Sequence, residues 1–211
     1  MKLDVLGVKI DQVDLEQALK IVDGWVKQTK KRYIVTVNPE FVMKAREDKE
    51  FREILNKADL AIADGVGLKL ADKRLKRVAG TELMVELIKK GYKTVLAGGK
   101  SGIAQKAAAK LGVVGMTEPN VEEINRIKPD LLFVGLGMVK QEKWIVKNLA
   151  KLQVKVAMGV GGALDQVAKP WLKAPKLVSS IGLEWLWRLI MQPWRLKRQL
   201  ILVKFLNIIK R

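Results

Sequence analysis

Between residues 33 and 162 one alternation repeats. A short apolar run closes on Gly, Asn or Asp, and a stretch with helical spacing follows. The apolar runs are YIVTVN (33–38), LAIAD (60–64), KTVLAGG (93–99), DLLFVGLG (130–137) and VKVAMGVGG (154–162). Helical patterning covers 39–57, 81–90, 101–111, 120–127 and 139–151. KLDVLGVKI (2–10) reads as a further strand, with a helix near 14–28. Strand-length runs with little polar alternation need cover on both faces. Joined through helices, they dictate an α/β domain, Rossmann-like, with a mostly parallel sheet and helices on both faces. This domain spans 1–168. Residues 169–211 read as a basic, amphipathic, membrane-associating tail.

Composition removes whole chemistries. The chain has no Cys and no His. That excludes a thiol or imidazole nucleophile, a His base, and a thiolate or imidazole metal site. A general base must come from Asp, Glu, Lys or Tyr. No Asp-x-Asp pair of the kind that holds a metal on a nucleotide sugar occurs; a carboxylate-only metal site stays open, but no local motif suggests one, and no cofactor is expected. Net charge is +18. From Lys169 to Arg211 there are ten basic residues and one acid, Glu184, giving +9; the first 168 residues supply the other +9. Such an excess points to polyanionic partners, although a lysine-rich surface of the thermophile kind accounts for part of the first half. No run approaches the roughly 20 apolar residues that span a bilayer. The start, MKLDVLGVKID, lacks the apolar core of a signal peptide, so the expected location is cytoplasmic.

In sheets of this kind ligands bind beyond the carboxyl ends of the strands. Here those ends carry Thr36 and Asn38, Asp64-Gly65, Gly98-Gly99, Gly135-Leu136-Gly137 and Gly159 to Gly162. Gly lets backbone approach a ligand, and a following helix N-terminus favours phosphate. Any one of these loops is equally well a plain strand-to-helix turn; several at one sheet edge indicate a site. Thr36 and Asn38 flank Val37, so strand alternation puts both side chains on one face. Asn38, before Pro39, is also placed to cap the next helix. Asp64 is either a functional carboxylate or part of an Asp-Gly turn.

In order along the chain, IVTVNPEFVMKAREDKEF, ADLAIADGVGL, RVAGTELM, VLAGGKSG, DLLFVGLGMVKQEKWI, GVGGALD and GLEWLWRL resemble the WecG/TagA/CpsF glycosyltransferases. This family includes the N-acetylmannosaminyltransferases of teichoic acid linkage-unit synthesis. The resemblance runs from near the N-terminus to about residue 200. It implies transfer of a sugar from a UDP-sugar donor to a polyprenyl-diphosphate-linked N-acetylglucosamine acceptor, with inversion and without a metal. N-acetylmannosamine is the expected sugar, with its uronic acid or glucose as alternatives. The chain departs from the family pattern at KLADKRLK (69–76) and GVVGMTEPNVEE (112–123), which are shorter, and at Met138-Val139, where a Ser/Pro-like pair is common. These departures bear on donor identity more than on reaction type.

The resemblance also implies roles. Asp64 matches the family's catalytic Asp and would take the acceptor hydroxyl proton. Arg77, in RVAG, would clamp the departing diphosphate, which suits a planar guanidinium. Thr36 and Asn38 would bind sugar hydroxyls. Gln141, Glu142 and Asp165 match nucleotide-side positions, although all three also read as solvated first-turn residues of helices. Gly98, Gly99, Gly135 and Gly137 complete the substrate-binding set.

The tail reads as two amphipathic helices broken at Pro193. Trp185, Trp187 and Trp194 suit a membrane interface and the basic residues suit anionic headgroups, so the tail lies on a membrane rather than crossing it. The expected partner surface is the anionic inner face of the cytoplasmic membrane. Arg188, Arg195 and Arg198 lie near one helical face, and the family resemblance implies that tail arginines help complete the active site at the diphosphate. The apolar stripe would alternatively pack on the catalytic domain or form a homo-oligomer interface. A nucleic-acid-binding protein and a non-catalytic membrane scaffold are the rival readings. No zinc-finger spacing, RNP-like run or helix-turn-helix supports the first, so no nucleic-acid partner is expected.

Overall fold

The computed structural model describes residues 1–172, 174, 175, 178, 184–191 and 196–209. Its centre is a six-stranded sheet of β3 (Arg32–Val37), β4 (Leu60–Ala63), β5 (Thr94–Gly98), β6 (Val114–Met116), β7 (Leu131–Gly135) and β8 (Val156–Gly159). All five pairings are parallel and the order is β4-β3-β8-β7-β5-β6. The expected Rossmann-like α/β architecture is present.

The apolar runs are buried because each of them feeds two cores. Val35, Val37, Ala61, Ala63, Leu132 and Val134 face one side. Ile34, Leu60, Ile62, Leu131, Phe133 and Met158 face the other. The first face is covered by α2 (Pro39–Glu47), α3 (Lys49–Asn56), α4 (Gly67–Ala71), α7 (Val121–Ile127) and α8 (Lys140–Asn148). The second is covered by α1 (Leu15–Val26), α5 (Gly80–Lys89), α6 (Ile103–Leu111) and α9 (Ala163–Ala168). Central neighbours β3 and β8 therefore send their following helices, α2 and α9, to opposite faces. A crevice at the carboxyl edge follows from that reversal.

Local chemistry corrects several expected boundaries. The single strand over 2–10 is a hairpin of β1 (Lys2–Val5) and β2 (Val8–Asp11). Leu6 and Gly7, at φ 53° and 86°, make its two-residue turn. The helix over 39–57 breaks at Asp48, whose N–H closes α2 on Lys44 and whose carboxylate caps α3 at Phe51. The hairpin also shields the edge of β4, where Asp11 accepts from the Ala61 N–H at 2.8 Å.

The tail forms α10 (Glu184–Met191) and α11 (Leu196–Ile209). Phe205 of α11 is fully buried, and Leu202, Leu206 and Ile209 pack beside it on the first core. The opposite side of α11 leaves Leu200 and Val203 exposed. Among the described residues no helix is long and apolar enough to cross a membrane.

Candidate active site

The carboxyl edge of the sheet is held together by a series of cross-strand bonds. At its β4 end, Asp64 follows directly on Ala63, and its N–H donates to the Val37 carbonyl at 2.7 Å. That bond extends the β3–β4 ladder one step and fixes where the half-buried Asp64 leaves the sheet. Gly65 then turns the chain at φ 85°, a conformation that favours glycine. Gly67 opens α4 against the Pro39 ring, where an added Cβ would lie only 2.6 Å from Cγ.

Arg77 reaches the same corner through the backbone. Ala63 and Arg77 form a parallel bridge, and the Val78 N–H donates to the Ala63 carbonyl at 2.8 Å. Residues 77–78 thus prolong the sheet edge, and Arg77 stands beside the residue that precedes Asp64. Gly80 comes next, close under β3, where a Cβ would lie 2.9 Å from the Thr36 methyl.

Thr36 is buried, and its hydroxyl donates to the Gly159 carbonyl at 3.3 Å. The β3–β8 pairing reaches Ile34 and Met158; the Thr36 side chain ties the strands beyond it. Asn38 caps α2, with its side-chain oxygen accepting from the Phe41 N–H at 3.1 Å. Thr36 and Asn38 therefore stand together at the end of β3, with both side chains engaged in holding the edge.

Farther along, Gly98 pairs in register with Gly135, and a Cβ there would lie 3.1 Å from the Gly135 carbonyl. The Gly99 N–H donates to that carbonyl at 2.9 Å. Gly137 turns at φ 85°. These positions place bare backbone along the β5–β7 stretch of the edge.

Gln141 and Glu142 open α8, but the solvated alternative fails: each is 1% exposed. One Glu142 oxygen accepts from the Gln141 side-chain amide and the other from the Val139 N–H, both at 2.7 Å. The Gln141 oxygen accepts from the Gly161 N–H at 2.9 Å. Burial pushes Glu142 up to about 7, against the pull of its hydrogen bonds from Gln141 and Val139. Val139 sits at φ 72° and ψ −52°, a strained conformation for a β-branched residue. Nothing in the composition of GLGMVKQE signals that strain; in this conformation the Val139 N–H meets the carboxylate supplied three residues later. Asp165 is half-buried in the first turn of α9. Arg195 lies outside the described residues, as do the side chains of Arg188 and Arg198.

The edge thus gathers a carboxylate and an arginine at β4, a polar tie at β3–β8, and glycine backbone at β5 and β7. Known proteins match this chain along nearly its whole length. Residues 3–211 match the Glycosyl transferase WecG/TagA/CpsF family. The N-acetylglucosaminyldiphosphoundecaprenol N-acetyl-beta-D-mannosaminyltransferase of Staphylococcus aureus strain MRSA252 is 32% identical over 222 aligned residues, covering 93% of this chain and 87% of the relative. The protein of the same description from strain MW2 gives the same figures, and that from strain NCTC 8325 is 31% identical over the same coverage. The chain is a sugar-transferring enzyme and belongs to the WecG/TagA/CpsF glycosyl transferase family.

Proposed function

We propose that the protein transfers N-acetylmannosamine, with inversion and without a metal, from a UDP-sugar to polyprenyl-diphosphate-linked N-acetylglucosamine. The step belongs to teichoic acid or a related cell-wall polymer. The observation that carries this reading is the bridge between Ala63 and Arg77, which brings the base candidate and the diphosphate candidate to one corner of the carboxyl edge. The relatives' shared description supplies the sugar and the acceptor.

In this reading Asp64 removes the proton from the acceptor hydroxyl as that oxygen attacks the anomeric carbon. The bond to the donor diphosphate breaks on the opposite face, and the Arg77 guanidinium takes up the charge that develops on UDP. The glycine turns after β5 and β7, together with Asp165, form the donor side, and Gln141 and Glu142 are buried behind it. Thr36 and Asn38 shape the crevice between the two halves. The tail docks on the anionic inner face of the cytoplasmic membrane and turns Arg188, Arg195 and Arg198 toward the diphosphate. In support, Leu202 of α11 lies next to Gly67, where a Cβ would be 3.2 Å from it, three residues beyond Asp64.

The test is UDP release from a panel of UDP-sugars with a polyprenyl-diphosphate N-acetylglucosamine acceptor, wild type beside Asp64→Ala. Acceptor-dependent release from UDP-N-acetylmannosamine, lost in the variant, is the expected result. Release from UDP-glucose or the uronate alone would move the donor assignment. No release from any donor by folded protein with vesicles present would overturn the reading. Deleting residues 182–211 tests the tail: the account expects loss of vesicle binding and a large fall in transfer.

A further inference from the structure

The turns after β7 and β8 lie on opposite sides of α8's first residues, and one side-chain relay joins them. The Val139 N–H donates to one oxygen of Glu142, and the Gln141 amide donates to the other. The far end of that amide accepts from the Gly161 N–H. The relay is packed hard against the sheet: a Cβ at Gly159 would lie 2.7 Å from both Gln141 Nε2 and Glu142 Oε1. Neither side chain reaches solvent, so neither is presented as an open reader of a ligand in this conformation.

We propose that Glu142 is a positioning residue whose two carboxylate oxygens lock the β7 turn and, through Gln141, the β8 turn into one rigid donor-binding edge. Two features give the lock its purpose. Val139 holds a backbone conformation that a β-branched residue adopts only when its surroundings impose it, and the bond from its N–H is the imposing contact. Gly137 at φ 85° and Gly161 at φ 48° put bare backbone on either side, where a nucleoside-diphosphate sugar would approach. Holding both turns before the donor arrives removes the ordering cost from binding.

The carboxylate is required because two donors need two acceptor oxygens. In Glu142→Gln the isosteric amide keeps a single acceptor. If it serves Val139, the Gln141 amide meets another NH₂ group and lets go of Gly161. If it serves Gln141, Val139 loses the contact that holds its turn. Val139→Gly removes the second conflict, since glycine takes φ 72° without help. The double variant then spends its one oxygen on Gln141 and recovers the Gly161 bond.

Which ligand the turns hold rests on the transferase reading; the first measurement does not. Amide hydrogen exchange at Gly161 is compared in wild type, Glu142→Gln and Glu142→Gln/Val139→Gly, alongside the Kd for UDP and kcat at saturating donor. The expected result is exchange at least tenfold faster in the single variant, UDP binding about tenfold weaker, and kcat within about twofold. The double variant restores both exchange and binding. If the single variant does not fold, Gln141→Met removes the Gly161 link and the donor to Glu142, leaves the Val139 bond in place, and gives the same two changes. Unchanged Gly161 exchange overturns the lock. Faster exchange with unchanged UDP binding overturns its positioning role. Weakened binding that Val139→Gly does not restore means that Glu142 touches the donor directly, which also overturns it. Wild-type protein that binds no UDP defeats the positioning role and the transferase reading together, while the exchange result still decides the lock itself.

Discussion

The two halves of the carboxyl edge are built from opposite materials. At β3 and β4 the edge carries side chains: Thr36, Asn38, Asp64 and the adjoining Arg77. At β5, β7 and β8 it is stripped to backbone at Gly98, Gly99, Gly135, Gly137, Gly159 and Gly161. Several of those glycines have no room for even a methyl group, and the obstacle is the protein itself. A Cβ at Gly135 would lie 2.6 Å from Leu164 Cδ1, and one at Gly159 would strike the Gln141–Glu142 pair. The glycine half is therefore shaped by internal packing as much as by a ligand. The side-chain half can supply acid–base and charge-stabilising groups; the glycine half can supply close approach and N–H groups.

That contrast is broken most severely at Arg77. Arg77→Ala is expected to lower turnover by about a hundredfold to a thousandfold with UDP-sugar saturating, the scale set by removing one charge-stabilising donor. Steady-state kinetics decide it: a rise in KM with kcat intact would mean that Arg77 binds ground state and transition state alike.

On the glycine side, Glu142 gives the next effect. Its folded pKa of about 7 stands above the ordinary 4.5 because burial disfavours the charge. The folded state then binds more protons than the unfolded chain between those values, so stability falls as pH rises across that window. The difference is about 3 kcal/mol, complete above pH 7. Denaturation from pH 4.5 to 8 should show this fall in wild type and a flatter profile in Glu142→Gln; equal slopes would contradict it.

Gly135→Ala is expected to cost about 1–3 kcal/mol through overpacking against Leu164. Leu164→Ala in the same chain should couple to it, the double variant losing less in thermal unfolding than the two single losses together. Smallest is Asn38→Ala, which should cost about 1 kcal/mol by uncapping α2. Asn38→Asp should retain the cap. An Asn38→Ala variant with full stability but no transfer would move Asn38 from scaffold to substrate contact.

The apolar runs made the sheet legible because central parallel strands leave little polar alternation, and five of its six strands were visible that way. β6 was not, because Val114–Met116 is three residues long, holds Gly115 and leaves Val114 partly exposed. The breaks at Asp48 and at the Leu6-Gly7 turn depend on single bonds that periodicity does not register. Helices α4 and α9 are too short to show a helical period. Within the site, the corner of Asp64 and Arg77 came from family resemblance, since the Ala63–Arg77 bridge beside it spans fourteen residues with no local signature. The burial of Gln141 and Glu142 was hidden for a related reason. A Gln-Glu pair opening a helix ordinarily faces water, and here the Gly161 N–H that holds Gln141 comes from a turn twenty residues away.

The central claim is that the carboxylate at the end of β4 performs the chemistry while the glycine half only seats the donor. The measurement that meets it most directly is single-turnover transfer by Asp64→Asn at saturating donor and acceptor, beside the Kd for UDP. The account predicts a fall of about a thousandfold in rate with UDP affinity unchanged. A rate within a few-fold of wild type would contradict it, and would move the base elsewhere on the edge.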